Sequence, residues 1–336
     1  MTILAIESSC DETSAAVLAD GIMRSNIIAA QLIHEQYGGV VPELASRAHQ
    51  QHIWPVVERA LADAKVPKQA LSAVAFTRGP GLLGSLLVGA SFAKALALGL
   101  NIPLIEVNHM QAHVLAHFID DPDRPQKPQF PFLCLTVSGG HTQIVRVDGP
   151  LDMTVIGQTL DDAVGEAFDK SAKLLGLPYP GGPLIDRYAA EGNPLAYRFP
   201  LGEMPELNFS FSGIKTAIMY FLRDQTRTNP TFVADNRADI CASIQHTLIQ
   251  MLLTKLKRAA RETGIRQIAI AGGVSANSGL RRALQTLGDE LDWTVFIPRF
   301  EYCTDNAAMI AMAAQFKFEQ GDFVDQTVSP LPRMSM

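Results

Sequence analysis

Short apolar runs and longer segments with apolar residues every three or four positions alternate along the chain. The runs predict β-strands and the periodic segments predict helices. Before residue 120, we predict strands over residues 2–7, 14–18, 22–28, 73–77 and 103–106, and helices over 42–64, 82–99 and 108–119. Pro42 suits the first turn of its helix, whereas Pro55 should kink or restart that helix.

A charged, proline-rich connector over residues 120–128 precedes a second series of elements. We predict strands over 132–138, 141–147, 153–158, 267–271 and 294–297, and helices over 161–175, from Gly213 to about Arg223, and over 236–263, 278–287 and 306–318. The same order of elements thus recurs, with helices inserted around 184–263. We therefore predict an α/β protein with two related lobes, one formed by residues 1–107 and 306–328 and the other by 108–305.

Composition narrows the class of protein. A length of 336 residues favours two lobes, and 47% hydrophobic residues favour large cores. A net charge of −6 is unlike a free-standing nucleic-acid binder, so such a partner would require a local basic patch or a helper subunit. The scattered cysteines and the absence of a basic leader indicate a cytoplasmic protein. The apolar run 82–100 contains Lys94 and three glycines, which favour a buried helix over a membrane span.

The strongest candidate chemistry is a pair of histidines. His109 and His113 are four positions apart on a predicted helix, so both imidazoles can reach one metal ion. Asp305 begins the last helix of the second half, at the position equivalent to His109 in the first half. Two imidazoles and a carboxylate form a common ligand set for a first-row metal. Alternatively, the histidines lie on an ordinary helix face and Asp305 only caps its helix.

Two glycine-rich segments follow predicted strands. Residues 137–142 (VSGGHT) form either a hairpin turn or a ring of backbone N–H groups around an oxyanion. Residues 271–277 (AGGVSAN) lie between a strand and a helix, where paired glycines let a flat ring or a phosphate approach the backbone. Asp169, near the PGGP loop at 180–183, either pairs with helix lysines or holds a ribose.

Many ordered blocks resemble one family. The blocks ESSCDET, YGGVVPELASR, GPGLLGSLLVG, HMQAH, VSGGHT, FSFSGIKT, AGGVSAN and CTDNAAM, between about residues 3 and 312, resemble the universal tRNA threonylcarbamoyladenosine-forming transferases. This family was formerly described as an O-sialoglycoprotein endopeptidase. The resemblance implies the actin/sugar kinase/Hsp70-like fold, in which the closing helix of each half crosses to the other lobe.

The resemblance also implies a reaction and its participants. A threonylcarbamoyl group passes from threonylcarbamoyl-AMP to N6 of the adenosine beside the anticodon, in tRNAs that read codons beginning with A. The implied partners, besides tRNA, are a paralogue of the same fold and a small ATPase, without a membrane; the paralogue should dock on the helical face around residues 31–64.

Matching motifs assign roles to individual residues. One metal ion per chain, Fe²⁺ or Zn²⁺, would be held by His109, His113 and Asp305. The expected substrate contacts are Thr136, Val137, Ser138, Gly139 and Gly140 at the acyl phosphate, and Asp169, Gly182, Asp186 and Asn277 at the nucleoside. Glu12, in the polar turn after the first strand, is a candidate catalytic contact.

Two positions depart from the pattern. Many relatives have a histidine before the HMQAH motif and a glutamate inside it, where this chain has Asn108 and Gln111. Three rival functions are a metalloprotease, a small-molecule kinase of the same fold and a nucleotide-sensing scaffold. The protease is disfavoured because zincins need a glutamate directly after the first histidine, where this chain has Met110.

Overall fold

The computed structural model describes residues 1–202 and 204–336, with the side chains of Leu32 and Glu35 left out. Its contacts divide the chain into two compact units. Unit 1 comprises residues 1–128, 148–153 and 298–336, and unit 2 comprises residues 129–147 and 154–297.

The helices follow the apolar periodicity closely. They are α1 (Pro42–Ala64), α2 (Leu83–Leu100), α3 (His109–Leu115), α4 (Val164–Leu174), α5 (Gly182–Ala189), α6 (Ser212–Thr228), α7 (Phe232–Asp235), α8 (Arg237–Thr263), α9 (Ser278–Leu291) and α10 (Ala307–Glu319). The helix predicted to end near Arg223 continues to Thr228. α1 is one helix that continues through Pro55, so of the two predicted outcomes, a kink or a restart, the restart does not occur.

The sheet of unit 1 contains β1 (Thr2–Glu7), β2 (Thr13–Ala19), β3 (Ile22–Ala29), β4 (Ala73–Gly79) and β5 (Leu104–Asn108). Their order is β3-β2-β1-β4-β5. β1 pairs antiparallel with β2 and parallel with β4, which pairs parallel with β5. Because parallel strands end at one edge of a sheet, Glu7, Gly79 and Asn108 lie along the same edge.

Helices cover both faces of this sheet, which explains why β1 is apolar along its length. Leu4 and Ile6 belong to the core that contains residues of α1 and α2. Ile3 and Ala5 belong to the core that contains residues of α3 and α10. The two-residue repeat of a strand therefore divides β1 between two cores.

The sheet of unit 2 repeats this arrangement. It contains β6 (Phe132–Val137), β7 (Thr142–Gly149), β8 (Asp152–Gln158), β9 (Gln267–Ala271) and β10 (Thr294–Phe296), in the order β10-β9-β6-β7-β8. β6 pairs antiparallel with β7 and parallel with β9, and β9 pairs parallel with β10. The predicted repeat of topology is therefore confirmed in strand order and direction.

The units differ in their boundaries from the predicted lobes. Residues 108–128, 148–153 and 298–305 group with unit 1, although the prediction placed them in the second lobe. The physical reason is packing: α3 contacts α10, β4 and β5, and α10 contacts every strand of the first sheet.

The helix α2 is long and apolar enough, by length and composition, to cross a membrane, with a mean hydropathy of 1.7. It contacts α1 and β4, and its Ala90, Ala93 and Ala97 are buried in a core that it shares with both elements. Leu83 and Leu87, by contrast, are 52% and 46% exposed.

Candidate functional site

Two histidines and one aspartate converge in unit 1. His109 and His113 lie one turn apart at the start of α3, with ring centroids 4.7 Å apart. Asp305 Oδ1 lies 3.1 Å from His113 Nε2 and 3.4 Å from His109 Nε2. The three residues each offer one ligand atom, and these atoms lie within 4.8 Å of one another. The two histidines that are four positions apart in the sequence therefore lie together with Asp305 in one cluster.

The side chain of Asp305 does not cap α10, because the neighbouring Asn306 does. Asn306 precedes α10, and its side-chain oxygen accepts a hydrogen bond from Met309 N at 3.0 Å. The alternative interpretation of Asp305 as the helix cap is therefore wrong. Its carboxylate instead faces the two imidazoles.

Glu7 fixes the orientation of the first histidine. This glutamate ends β1, is fully buried, and accepts a hydrogen bond from Thr77 Oγ1 at 2.7 Å. Its Oε2 lies 3.0 Å from His109 Nδ1. A carboxylate only accepts, so Nδ1 carries a hydrogen, and Nε2 is the ring nitrogen that faces Asp305, the arrangement found in histidine metal ligands. The buried Nδ1 of His113 has no partner among the described residues.

The electrostatics of this cluster favour a cation. Burial acts to raise the pKa of Asp305, but His109 and His113 hold that pKa well below its usual range. Burial acts to lower the pKa of His109, yet the carboxylates of Asp305 and Glu7 raise it well above its ordinary value. Buried carboxylates that stabilise a protonated imidazole would equally stabilise a divalent ion. The residues present therefore fit a metal.

Glu12 lies in the polar turn between β1 and β2. Burial and the neighbouring charges of Asp305 and Asp11 raise the pKa of Glu12 well above its usual range. A carboxyl group in this environment is harder to ionise than an exposed one. The carboxylate of Asp305 thus acts on Glu12, and the catalytic role of Glu12 stays a prediction.

His49 anchors the same turn, although sequence reasoning did not select it. Its ring is fully buried on α1, with Nδ1 2.7 Å from Thr13 Oγ1 and Nε2 3.0 Å from the carbonyl of Cys10. Since a carbonyl only accepts, Nε2 carries the hydrogen and Nδ1 accepts from Thr13. Burial lowers the pKa of His49, which is consistent with a neutral ring. The sequence feature that could have identified His49 is that a histidine occupies an apolar position of α1.

In unit 2, Asp169 joins α4 to the following loop. Its Oδ1 accepts hydrogen bonds from Gly181 N at 2.8 Å and Gly182 N at 3.1 Å. Burial raises the pKa of Asp169, although these two amides act to lower it. The predicted proximity of Asp169 to the PGGP loop is therefore present. Its Oδ2 has no hydrogen bond in the described part of the chain.

Asp186 and Asn277 meet at the start of α9. Asp186 accepts hydrogen bonds from the amide and hydroxyl of Ser278, at 2.9 and 2.8 Å. Asn277 caps α9 through Leu280 N at 2.8 Å and donates to Gln245 Oε1 at 2.7 Å. Much of the hydrogen-bonding capacity of both side chains thus serves the fold.

The loop between β6 and β7 lies beside the glycines of the AGGVSAN segment. Thr136 and Val137 are fully buried in the sheet, whereas Gly139 and Gly140 are exposed. Ser138 N donates to the carbonyl of His141 at 2.8 Å, which makes the loop a tight hairpin. A Cβ at Gly272 would lie 2.5 Å from the carbonyl oxygen of Val137, so these two glycine-rich segments pack together.

Comparisons with known proteins now identify the family. The model of the tRNA N6-adenosine threonylcarbamoyltransferase family matches residues 22–312. Proteins of that name from Christiangramia forsetii and Cytophaga hutchinsonii are each 63% identical to this chain; both alignments cover 99% of it, and 98% and 96% of the relatives. The chain belongs to this family. As a tRNA N6-adenosine threonylcarbamoyltransferase family member, it is a transferase that modifies tRNA.

A solved structure agrees on the fold. The chain is similar to full-length HypF in its phosphate- and nucleotide-bound form, with a TM-score of 0.63 and 15% identity, covering 96% of this chain and 47% of HypF. Identity this low speaks to the fold alone. That fold is the actin/sugar kinase/Hsp70-like fold, as the sequence resemblance implied.

Proposed function

We propose that this chain transfers threonylcarbamoyl from threonylcarbamoyl-AMP to N6 of the adenosine beside the anticodon, in tRNAs that read codons beginning with A. The nitrogen attacks the carbonyl carbon of the mixed anhydride. The bond from that carbon to the phosphate oxygen breaks, AMP departs with the electron pair, and N6 loses a proton. Family membership supports the reaction, and the convergence of His109, His113 and Asp305 is the observation that supports this site.

One divalent ion per chain is part of the proposal, with Fe²⁺ preferred and Zn²⁺ as the alternative. His109, His113 and Asp305 would hold the ion, and Glu7 would hold the tautomer of His109 that has a free Nε2. When bound, such an ion acts as a Lewis acid toward a carbonyl or phosphoryl oxygen. We propose Glu12 as a polar contact to substrate, because it lies in the turn after β1 and the charge of Asp305 acts on it.

Unit 2 supplies the proposed contacts to the donor nucleotide. Asp169 Oδ2, which has no hydrogen bond among the described residues, would accept from a ribose hydroxyl while Oδ1 holds the Gly181 and Gly182 amides. Asp186 and Asn277 would border the nucleoside and keep the start of α9 in place. The exposed backbone of Gly139 and Gly140 would contact the acyl phosphate. The remaining chemistry is positioning, because the donor already carries a good leaving group.

Two basic residues of α8 already have partners within the chain. Lys255 Nζ donates to the carbonyls of Met204 and Glu206 at 2.6 and 2.7 Å, so it serves the fold. Arg258 is paired with Glu262 at 2.6 Å. Since phosphate neutralisation supplies much of the affinity for nucleic acids, a chain with a net charge of −6 should need help to bind tRNA. This supports our proposal that protein partners are required for efficient transfer.

We propose a paralogue of the same fold and a small ATPase as those partners, in the cytoplasm and away from membranes. The paralogue would dock on α1 and α2. Trp54 on α1 is 51% exposed, and Leu83, Leu87 and Leu98 on α2 are 52%, 46% and 68% exposed. Large apolar side chains exposed together on neighbouring helices are typical of a protein interface.

The test is a transfer assay with purified chain, tRNA and ready-made threonylcarbamoyl-AMP, with and without the partners. We expect repeated turnover only with partners, and no phosphoryl transfer when ATP replaces the donor. Full-rate turnover by the chain alone would refute the partner requirement. Absence of transfer in the complete system would refute the reaction itself.

A further inference from the structure

The C-terminal tail, defined here as residues 329–335, crosses residues 78–81, which are the end of β4 and the turn after it and are called here the loop 78–81. Leu331 N donates to the carbonyl of Arg78 at 2.8 Å, and Gly81 N donates to the carbonyl of Pro332 at 3.2 Å. Arg78 Nε donates to the carbonyl of Ser329 at 3.0 Å. Three hydrogen bonds therefore join the tail to residues 78–81.

Glycines make this approach possible. A Cβ at Gly79 would lie 1.9 Å from the carbonyl oxygen of Leu331, which no side chain permits. A Cβ at Gly81 would lie 2.5 Å from the carbonyl oxygen of Ser9. The loop 78–81 is thus confined between the tail and Ser9, whose hydroxyl lies 3.2 Å from His109 Nδ1.

Asn108 connects the tail to the start of α3. Its side-chain oxygen caps the helix by accepting from Met110 N at 2.9 Å and Gln111 N at 3.2 Å. Its side-chain nitrogen donates to the carbonyl of Ser335 at 2.9 Å. This amide is 4% exposed and directly precedes His109. The bond spans 227 positions of the sequence.

We propose that the C-terminal tail, through Asn108 and the loop 78–81, positions His109 for the metal. Asn108 is a positioning residue: it touches neither ion nor substrate, and it acts through the helix start that carries the ligand. Asn108 fills this role although the chain departs here from many relatives. The inference rests on the proposed metal site. It adds that residues after the last helix help to position one ligand of that site.

The test measures Zn²⁺ affinity of metal-free full-length chain by competition with a chromophoric chelator. Asn108→Ser keeps a neutral capping oxygen and removes the donor to Ser335. We expect its Zn²⁺ affinity to fall about tenfold, as losses around metal ligands do. Asn108→Ala, which also loses the cap, should lose more. Excess Zn²⁺ should restore the transfer rate of Asn108→Ser in the complete system.

Gln326→Ala is the matched control. Gln326 Nε2 donates to the carbonyl of Lys94 at 3.3 Å, so this variant removes another contact of the C-terminal segment with a helix. Its Zn²⁺ affinity should equal that of the unaltered chain. A folded Asn108→Ser with unaltered affinity would overturn the inference, as would an equal loss in Gln326→Ala. If the unaltered chain itself binds no metal, the proposed metal site fails instead.

Discussion

Corresponding strands of the two sheets end in different kinds of residue. In unit 1, β1, β4 and β5 end in Glu7, Gly79 and Asn108, and α3 begins with His109, a proposed metal ligand. In unit 2, the corresponding strands β6, β9 and β10 end in Val137, Ala271 and Phe296. Glycine-rich loops follow β6 and β9.

The two sheets share one topology, but their edges suit different ligands. In each sheet the parallel strands bring three segments to one edge, whatever residues these segments carry. Buried carboxylates and imidazoles at the first edge favour a cation. Exposed glycine amides at the second edge favour an anion or a nucleotide. Topology thus determines where a site forms, and the residues at the strand ends determine what it binds.

The largest effect should come from removing a ligand of unit 1. His113→Ala should lower bound metal at least about tenfold and stop transfer, because one of three ligands is lost. Elemental analysis of the purified variant measures the metal. His117→Ala is a control on the same segment, since His117 is outside the ligand cluster. Full metal occupancy in His113→Ala would refute the proposed metal site of unit 1.

An intermediate effect should come from unit 2. Asp169→Ala should weaken binding of adenine nucleotides by about 1–3 kcal/mol, because hydrogen bonds to a charged acceptor are lost. Calorimetry measures this affinity, and bound metal should remain unchanged. Glu166→Gln, which alters an exposed carboxylate on the same helix, is the control. Unchanged nucleotide affinity in Asp169→Ala would exclude Asp169 from the pocket.

The smallest effect concerns stability in unit 2. Asp161 accepts hydrogen bonds from the hydroxyls of Ser210 and Ser212 and from Phe211 N at 2.8 Å, at the start of α6. Burial acts to raise the pKa of Asp161, but these bonds lower it. A lowered pKa stabilises the fold above the unfolded value of about 3.9 and ceases to do so as pH falls through the folded value.

Asp161→Asn should therefore lower the Tm at pH 7 by roughly 1–3 °C, a small change because solvent screens an exposed carboxylate. The difference from the unaltered chain should shrink as pH falls below about 4. Thermal unfolding at several pH values measures it. A constant difference across this range would show that the charge of Asp161 contributes nothing to stability.

The sequence predicted the strands and the metal cluster because both depend on spacing. Two-residue and helical periods predict the elements. A separation of four positions on one helix predicts that His109 and His113 lie close together. The role of Glu7 could not be predicted, because a carboxylate at the end of an apolar strand becomes informative only when its neighbours are known. The same applies to Asn108, whose partner Ser335 lies 227 positions later in the sequence.

Other details depended on competition between similar neighbours. Asp305 and Asn306 are both good helix caps, and only the backbone geometry selected Asn306. The helix α5 was not predicted individually because it is short and begins in a Gly/Pro loop. Its contacts with α8, and the hydrogen bonds from Gly181 and Gly182 to Asp169, stabilise it instead.

The placement of α10 on the first sheet also constrains biosynthesis. The metal cluster combines residues 109 and 113 with residue 305 of a chain of 336. During translation the first sheet and α3 emerge long before α10, so the nascent unit 1 has two imidazoles but lacks Asp305 and the helix that covers one face of its sheet. In the proposed metal site the ligand set is therefore complete only after residue 305 has been synthesised, and a chain interrupted before that residue also leaves one apolar face of the first sheet uncovered.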